Sequence, residues 1–176
     1  LDHVPVPESQ IHPIYTELDN IRESADRYAK VLRENIANKH MRESGGLPRF
    51  DLCLQGIGDD GHTASLFPGT EILNENERIA AEVYVDKFQS WRVSLTFPVL
   101  ANAQTMIFLV AGEGKADIVQ QLLESSGEEK YPVQMLLSRI RNSRIKRDAQ
   151  PEQQQQCQVE WYLDKAAASR LQTESK

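Results

Sequence analysis

The chain has 176 residues, of which 40% are hydrophobic and 26% charged, and it carries a formal net charge of −6. These values are typical of one globular domain spanning residues 1–176, and the negative charge argues against nucleic-acid binding through general electrostatics. No apolar run approaches the roughly 20 residues that span a bilayer, and two widely separated cysteines, Cys53 and Cys157, favour a reducing, cytoplasmic setting over a disulfide framework.

The first half of the chain is predicted to contain one long helix and one buried strand. Residues 1–15 hold three prolines and are expected to be extended or looped. Apolar side chains then recur every three or four positions over residues 17–41, which predicts an amphipathic helix with Thr16 as its N-cap. The glycines and proline of residues 44–48 end this helix, and the apolar run 50–54 predicts the first strand.

Strands and helices alternate in the second half of the chain. The further predicted strands are 80–85, 92–97, 106–110, 133–137 and 159–163. The uniformly apolar run 106–110 is typical of a central parallel strand. Residues 112–115 are predicted to form the turn between this strand and the helix that follows. An alanine-rich helix is expected to end near residue 171, and residues 139–157 are predicted to be a polar loop insertion. This alternation predicts an α/β fold with a doubly wound, mostly parallel sheet flanked by helices, in a Rossmann-like arrangement.

The residues that follow the first predicted strand carry the chemistry. Three glycines stand there with two carboxylates and a histidine; the glycines are Gly56, Gly58 and Gly61. In α/β sheets ligands bind beyond the carboxyl ends of strands, and an imidazole among carboxylates at that place suggests general-base catalysis on a small anionic substrate. His62 is the candidate base. Asp60 is taken as the residue that orients its ring, although the spacing leaves Asp59 open for that role.

The same glycines match the Gly-x-Gly-x-x-Gly spacing of a dinucleotide-binding loop. We reject that interpretation because Asp59 and Asp60 would repel a pyrophosphate. In addition, Pro68 follows Gly61 too soon for an uninterrupted crossover helix. A tight glycine turn without any ligand is the simpler alternative, but it leaves the concentration of titratable side chains in the turn unexplained.

Two cations at other predicted strand ends complete a candidate anion site. Arg92 opens one strand, and Lys115 lies in the first turn of a helix, where a phosphate is favoured. Each is equally well explained as an ordinary surface residue. Thr63 and Ser65 offer hydroxyl donors or helix caps. No metal site is expected because His62 has no Cys or second His at ligand spacing. Structural or surface roles are assigned to His3, His12, His40, Asp51 and Asp164.

Residues 56–69, GIGDDGHTASLFPG, resemble the signature Gly-x-Gly-x-Asp-Gly-His-Thr-Ala-Ser-Leu-Phe-Pro-Gly of the 6-phosphogluconolactonase family. The likeness continues through residues 11–13, 92–96, 112–115 and 161–164. It implies a sheet related to that of sugar-phosphate isomerases. Family members carry a preceding segment with a phosphate loop and an Asp-Glu-Arg tripeptide, so the chain is expected to be N-terminally incomplete relative to the family.

The resemblance implies hydrolysis of 6-phospho-D-glucono-1,5-lactone to 6-phosphogluconate, in the oxidative pentose phosphate pathway and without a cofactor. His62 would activate water, Asp60 would orient His62, and Arg92 and Lys115 would hold the 6-phosphate. Thr63 and the backbone N–H groups of the glycine loop are expected to contribute to substrate binding. The expected partner is a phosphorylated sugar lactone rather than nucleic acid or membrane, and the expected assembly is a monomer or a weak homo-oligomer.

Three alternatives stay open. The first is an isomerase or deaminase acting on glucosamine 6-phosphate, whose pattern continues from Asp-Gly-His with Ile-Ala-Phe-Asn-Glu-Pro. Here residues 63–68 contain no glutamate for proton relay. The second is a non-enzymatic sugar-phosphate sensor, and the third is a folded but inactive remnant that binds ligand weakly. Binding without turnover would separate the last two from an enzyme.

Overall fold

The structure is a computed structural model that describes residues 3–16, 20–36, 46–125, 129–147 and 157–172. Its helices are α1 (Ile21–Asn35), α2 (Phe97–Ala101), α3 (Ala116–Glu124) and α4 (Pro132–Arg147). Its strands are β1 (Leu52–Gln55), β2 (Ala80–Val85), β3 (Ser90–Leu95), β4 (Thr105–Val110) and β5 (Gln158–Leu163). Short 3₁₀ helices lie at Glu8–Gln10, Glu71–Asn74, Asp86–Phe88 and Glu113–Lys115. Within these ranges no helix has the length and apolar character needed to cross a membrane.

Three strands form a parallel sheet in the order β1-β4-β5. Cys53 pairs with Met106, and Met106 pairs with Val159 on the other side. The uniformly apolar β4 is therefore the central strand, as its composition predicts. The prediction of an α/β fold with a mostly parallel sheet and flanking helices is confirmed.

The parallel sheet buries one face against the helices. Met106, Phe108 and Val110 of β4 are buried in the main core together with Cys53, and side chains of α3 and α4 pack on them. The intervening Leu109 points the other way and is 51% exposed, as the two-residue period of a strand requires. On that second face the half-exposed apolar side chains of the described residues are Leu52, Leu54, Leu109 and Tyr162.

The two strands predicted around residues 80–97 form a separate antiparallel hairpin. β2 pairs with β3 from Ala80–Leu95 to Val85–Ser90. This hairpin packs against α1 in a second apolar cluster. The predicted strand 92–97 ends at Leu95 because Pro98 favours the first turn of α2. In that turn a backbone N–H has no partner within the helix, so proline loses no hydrogen bond there.

Helix α1 confirms the predicted amphipathic helix but begins later than expected. Asn20, not Thr16, is its N-cap, and the Asn20 side chain accepts a hydrogen bond from the Arg22 N–H at 3.1 Å. The buried positions Ser24, Ala25, Ala29 and Leu32 follow the helical period. Residues 17–19 and 37–41 of the predicted range lie outside the described residues.

The prediction of a strand at residues 133–137 is wrong, because these residues belong to α4. Val133, Leu136 and Ile140 are buried at spacings of three and four, which is the period of a helix. Pro132 stands at the first position of the helix, where proline is favoured. A run of five mostly apolar residues does not by itself distinguish a buried strand from the buried side of a helix.

Two further expectations for the C-terminal third are corrected. Residues 139–147, predicted as the start of a polar loop, continue α4, whereas residues 148–156 lie outside the described part of the chain. The alanine-rich segment after β5 forms successive turns rather than a helix. The Asp164 carboxylate accepts the Ala167 N–H at 2.7 Å. The backbone hydrogen bonds of this segment span four residues from Ala168 to Asp164 but three residues from Ser169 to Ala166 and from Leu171 to Ala168, which is not a continuous α-helical ladder.

Candidate active site

The glycine-rich loop that follows β1 lies at the carboxyl edge of the parallel sheet. Because β1 and β4 are parallel neighbours, the loop after β4 reaches the same edge. There Lys115, at the end of the 3₁₀ helix Glu113–Lys115, forms an ion pair with Asp59. Asp164, at the end of β5, accepts the Gly112 N–H at 3.0 Å and so holds the loop that carries Lys115. Asp164 is therefore structural, as predicted.

Two backbone hydrogen bonds close the glycine loop on itself. The Gly58 N–H donates to the carbonyl of His62 at 2.9 Å, and the Gly61 N–H donates to the carbonyl of Gly58 at 3.0 Å. Gly61 has a φ of 71°, in the left-handed region that favours glycine. Both N–H groups are thus engaged inside the loop, so the predicted donation to a ligand gains no support from Gly58 or Gly61.

Gly58 is required by the close approach of His62. A Cβ at Gly58 would lie 1.9 Å from Nδ1 of His62 and 2.7 Å from Oδ1 of Asp60. At Gly56, by contrast, no atom of a described residue other than its chain neighbours lies within 4 Å of the Cβ position. The glycine spacing therefore serves to admit the imidazole ring against the backbone at one position rather than to cradle a dinucleotide.

Asp60 is the carboxylate that orients His62. Its Oδ1 lies 2.5 Å from Nδ1 of the imidazole, and the same oxygen accepts the His62 N–H at 3.3 Å. Partial burial raises the pKa of Asp60, but the hydrogen bonds from His62 and the nearby Lys87 cation outweigh burial and hold the pKa below its usual value. An ionised carboxylate only accepts hydrogen bonds, so Nδ1 carries the proton and Nε2 of the neutral ring carries the lone pair.

Asp59 makes a different contact from Asp60. Its exposed carboxylate pairs with Lys115, and the hydrogen bond from that ammonium holds the pKa of Asp59 below its usual value. Asp59 thus connects the glycine loop to the segment after β4, and it places the Lys115 cation beside the loop that carries His62.

An aromatic cluster supports the imidazole from behind. The ring of Phe67 stacks on the ring of His62 with centroids 3.9 Å apart and an interplanar angle of 26°. Phe88, from the turn between β2 and β3, meets Phe67 edge to face at 5.7 Å. This packing limits rotation of the His62 ring, so its orientation is determined by the fold as well as by Asp60.

Arg92 reaches the same cluster from β3, where it lies within the strand rather than at its start. Its guanidinium sits over the Phe88 ring, 4.7 Å from the centroid. Nε of Arg92 is buried and has no hydrogen-bond partner among the residues that the structure describes. A buried donor without a partner is costly, and a bound anion would satisfy it.

Thr63 does not face a ligand. It is fully buried, and its hydroxyl lies 2.7 Å from Oε1 of Gln55 and 2.9 Å from the carbonyl of Gly56. The predicted use of Thr63 as a substrate contact is corrected: its hydroxyl joins the loop to the end of β1. Ser65 does not cap a helix. Its backbone N–H donates to the Ser94 hydroxyl of β3 at 3.1 Å.

Besides Phe88, Lys87 and Tyr131 lie near the site and were not predicted from the sequence. Lys87 lies with its ammonium 3.5 Å from Oδ2 of Asp60. Tyr131 packs its ring where a side chain on Gly61 would lie, and the next residues begin α4, whose Val133 N–H donates to the Gly61 carbonyl at 3.2 Å. No local pattern marks either residue, because each arrives from an element remote in the sequence.

Comparison with known proteins identifies the family of the chain. The family model for glucosamine-6-phosphate isomerases/6-phosphogluconolactonase matches residues 1–145. Human 6-phosphogluconolactonase is 38% identical over 172 residues, which are 97% of this chain and 58% of the human protein. A solved structure described as devB protein is 31% identical with a TM-score of 0.74, covering 97% of this chain and 63% of that one. The 6-phosphogluconolactonase from Trypanosoma cruzi is 25% identical with a TM-score of 0.71, covering 94% and 61%.

These similarities extend well beyond the glycine loop. They cover nearly the whole of this chain, while the chain spans less than two thirds of the length of each relative. The resemblance predicted from residues 56–69 is confirmed. The chain belongs to the family of glucosamine-6-phosphate isomerases and 6-phosphogluconolactonases.

Proposed function

We propose that this chain hydrolyses 6-phospho-D-glucono-1,5-lactone to 6-phosphogluconate, with His62 as general base. One observation carries the proposal: Nδ1 of His62 is bound to the ionised Asp60, so the lone pair of Nε2 is available to a water molecule. The names of the human and Trypanosoma cruzi relatives support the substrate. The chain spans 58% of the human relative's length.

In the proposed reaction, Nε2 of His62 removes a proton from water while the water oxygen bonds to the lactone carbonyl carbon. The carbonyl electron pair moves onto oxygen, giving a tetrahedral intermediate. Its collapse breaks the bond between that carbon and the ring oxygen, and the imidazolium returns the proton to the leaving oxygen. Asp60 stabilises the imidazolium between these steps. General-base assistance of this kind contributes about 10²–10⁴-fold, and the steps use no cofactor.

Arg92 and Lys115 are proposed to hold the phosphate of the substrate. Arg92 is supported by its buried Nε, which has no partner among the described side chains, and by its place on the aromatic cluster behind His62. Lys115 is supported by its position, because its ion pair with Asp59 holds its ammonium beside the glycine loop. A phosphate dianion would compete with the Asp59 carboxylate for that ammonium. Binding energy from the phosphate would orient the remote carbonyl over His62.

For the cellular setting, we propose a cytoplasmic protein, monomeric or weakly self-associating, whose partner is a small sugar phosphate rather than nucleic acid. The net charge of −6 supports the absence of nucleic-acid binding. The buried Cys53 thiol, which forms no disulfide, supports a reducing compartment.

The test is hydrolysis of freshly generated 6-phosphogluconolactone by the purified chain, corrected for spontaneous opening of the lactone. We expect His62→Ala to lower kcat by about 10²–10⁴-fold with an unchanged circular dichroism spectrum. His3→Ala, which removes an exposed histidine outside the site, is the matched control and should retain full activity. Absence of turnover by the folded wild-type chain would refute the activity, and wild-type turnover by His62→Ala would refute the base.

A further inference from the structure

We propose that Lys87 is a positioning residue for the Asp60–His62 pair, and this inference rests on the proposed function. Lys87 acts on the carboxylate and not on the substrate. By placing a cation at the outer oxygen of Asp60, it keeps the pair from taking up an extra proton. The ionised form of Asp60, which accepts the hydrogen bond from Nδ1 of His62, thereby stays populated toward lower pH.

The contacts of Asp60 divide between its two carboxylate oxygens. Oδ1 serves the ring and the backbone N–H of His62, and the Lys87 ammonium lies 3.5 Å from Oδ2. The Lys87 side chain is 55% exposed and that of Asp60 is 29% exposed. The contact is therefore an ion pair at the rim of the site, with one partner half in solvent and the other largely enclosed.

The turn that carries Lys87 is held against the site by packing. It is the 3₁₀ helix Asp86–Phe88, closed by Gln89, whose side chain donates to the Asp86 carbonyl at 2.8 Å. Phe88 meets Phe67 edge to face, and Phe67 stacks on the imidazole. The backbone next to Lys87 is thus connected to the His62 ring through two aromatic contacts, so the approach of Lys87 to Asp60 follows from the fold.

The other charges around the pair are already engaged or directed elsewhere. Lys115, from the start of α3, pairs with Asp59. Arg92, from β3, places its guanidinium over the Phe88 ring. Among the residues that the structure describes, Lys87 is the lysine or arginine that contacts the Asp60 carboxylate. When Lys87 is replaced by a neutral residue, His62 is therefore the titratable side chain that still contacts the Asp60 carboxylate.

The sign of the effect follows from charge. A cation disfavours binding of a proton nearby. The coupled Asp60–His62 pair should therefore take up its proton at higher pH when a neutral side chain replaces Lys87. Activity at low pH then falls, while activity at high pH changes little. Since the Lys87 side chain is half exposed, the ion pair contributes about 0.2–1 kcal/mol, which corresponds to a shift of about 0.2–0.7 pH unit.

The experiment compares Lys87→Met with Lys87→Arg, and uses Lys30→Met on α1 as the matched control. The first readout is the pH profile of kcat/KM for the lactone. We expect the acid limb of Lys87→Met to move up by about 0.2–0.7 pH unit, and Lys87→Arg to restore it. The second readout is the pH titration of the His62 ring signals by NMR in the protein without substrate, which should move by the same amount.

Several outcomes would overturn the inference. A raised KM with an unmoved acid limb would place Lys87 on the substrate instead. An unmoved NMR titration in Lys87→Met, or an equal shift in Lys30→Met, would remove the electrostatic role. These results differ from failure of the proposed function, which would appear as absence of turnover in the wild-type chain. The NMR titration does not require turnover, so it tests the contact in either case.

Discussion

Replacing Gly58 with alanine is expected to disable the Asp60–His62 pair while leaving the fold in place. The added Cβ would lie 1.9 Å from Nδ1 of His62, whereas ordinary contact begins near 3.4 Å. The backbone of Gly58 resists displacement because its N–H donates to the His62 carbonyl and its own carbonyl accepts from Gly61. The imidazole must therefore move by about 1.5 Å, which breaks its 2.5 Å contact with Asp60.

The effect on rate is worked from that displacement. A misplacement of about 1 Å in a catalytic group can cost about 100-fold, and loss of a general base costs about 10²–10⁴-fold. We therefore expect kcat/KM of Gly58→Ala to fall by about 10²-fold or more. The free energy of unfolding should fall by about 1–3 kcal/mol, the usual cost of overpacking, because the displaced ring also loses its stacking on Phe67.

The matched control is Gly56→Ala in the same loop. Neither Gly56 nor Gly58 has a positive φ, so the backbone consequences of adding a methyl group are similar. At Gly56 no atom of a described residue other than its chain neighbours lies within 4 Å of the Cβ position, so its variant should retain wild-type turnover. The assays are lactone hydrolysis, corrected for spontaneous opening, and detection of the downfield Nδ1 proton of His62 by NMR. The reasoning fails if Gly58→Ala keeps that proton and matches the turnover of Gly56→Ala.

Two further predictions concern residues outside the reacting groups. Thr63→Val should lower the free energy of unfolding by about 1–2 kcal/mol in urea titrations and leave KM for the lactone unchanged, because the hydroxyl is buried against Gly56 and Gln55; Thr63→Ser is the control, and a raised KM at unchanged stability would contradict this. Burial raises the pKa of the Cys53 thiol to about 11, so at pH 8 the thiol is protonated, and a thiol reagent should modify Cys53 only after unfolding in urea. Prompt labelling of Cys53 in the native protein, located by mass spectrometry, would show that this burial is wrong.

Local pattern was sufficient for several parts of the molecule. The continuous apolar run of β4 predicted a central strand, and β4 lies between β1 and β5. The run did not show that one face of the strand would leave Leu109 51% exposed. The glycines, carboxylates and histidine after β1 predicted a tight loop at the carboxyl edge of the sheet. The loop lies there because every parallel strand ends at that edge.

Local pattern failed where one run of residues is compatible with two structures. The residues Val133–Leu137 have no period that separates a strand from a buried helix, and the packing of Val133, Leu136 and Ile140 in the core selects the helix. Similarly, the two strands around residues 80–97 carried no sign that they would pair with each other and pack on α1 instead of joining the parallel sheet.

Some residues of the site could therefore be found from the sequence, whereas others are brought to it only by the tertiary structure. His62 and its glycine loop are contiguous in the chain, so residue types and spacing were enough to find them. The choice of Asp60 over Asp59 depends on how the loop turns, with Asp59 drawn to Lys115 on the neighbouring loop. Lys87 and Phe88 come from the hairpin, and their distance from His62 is a consequence of how two sheets pack. Spacing along the chain carries no information on such a distance, because it is determined by contacts between elements far apart in sequence.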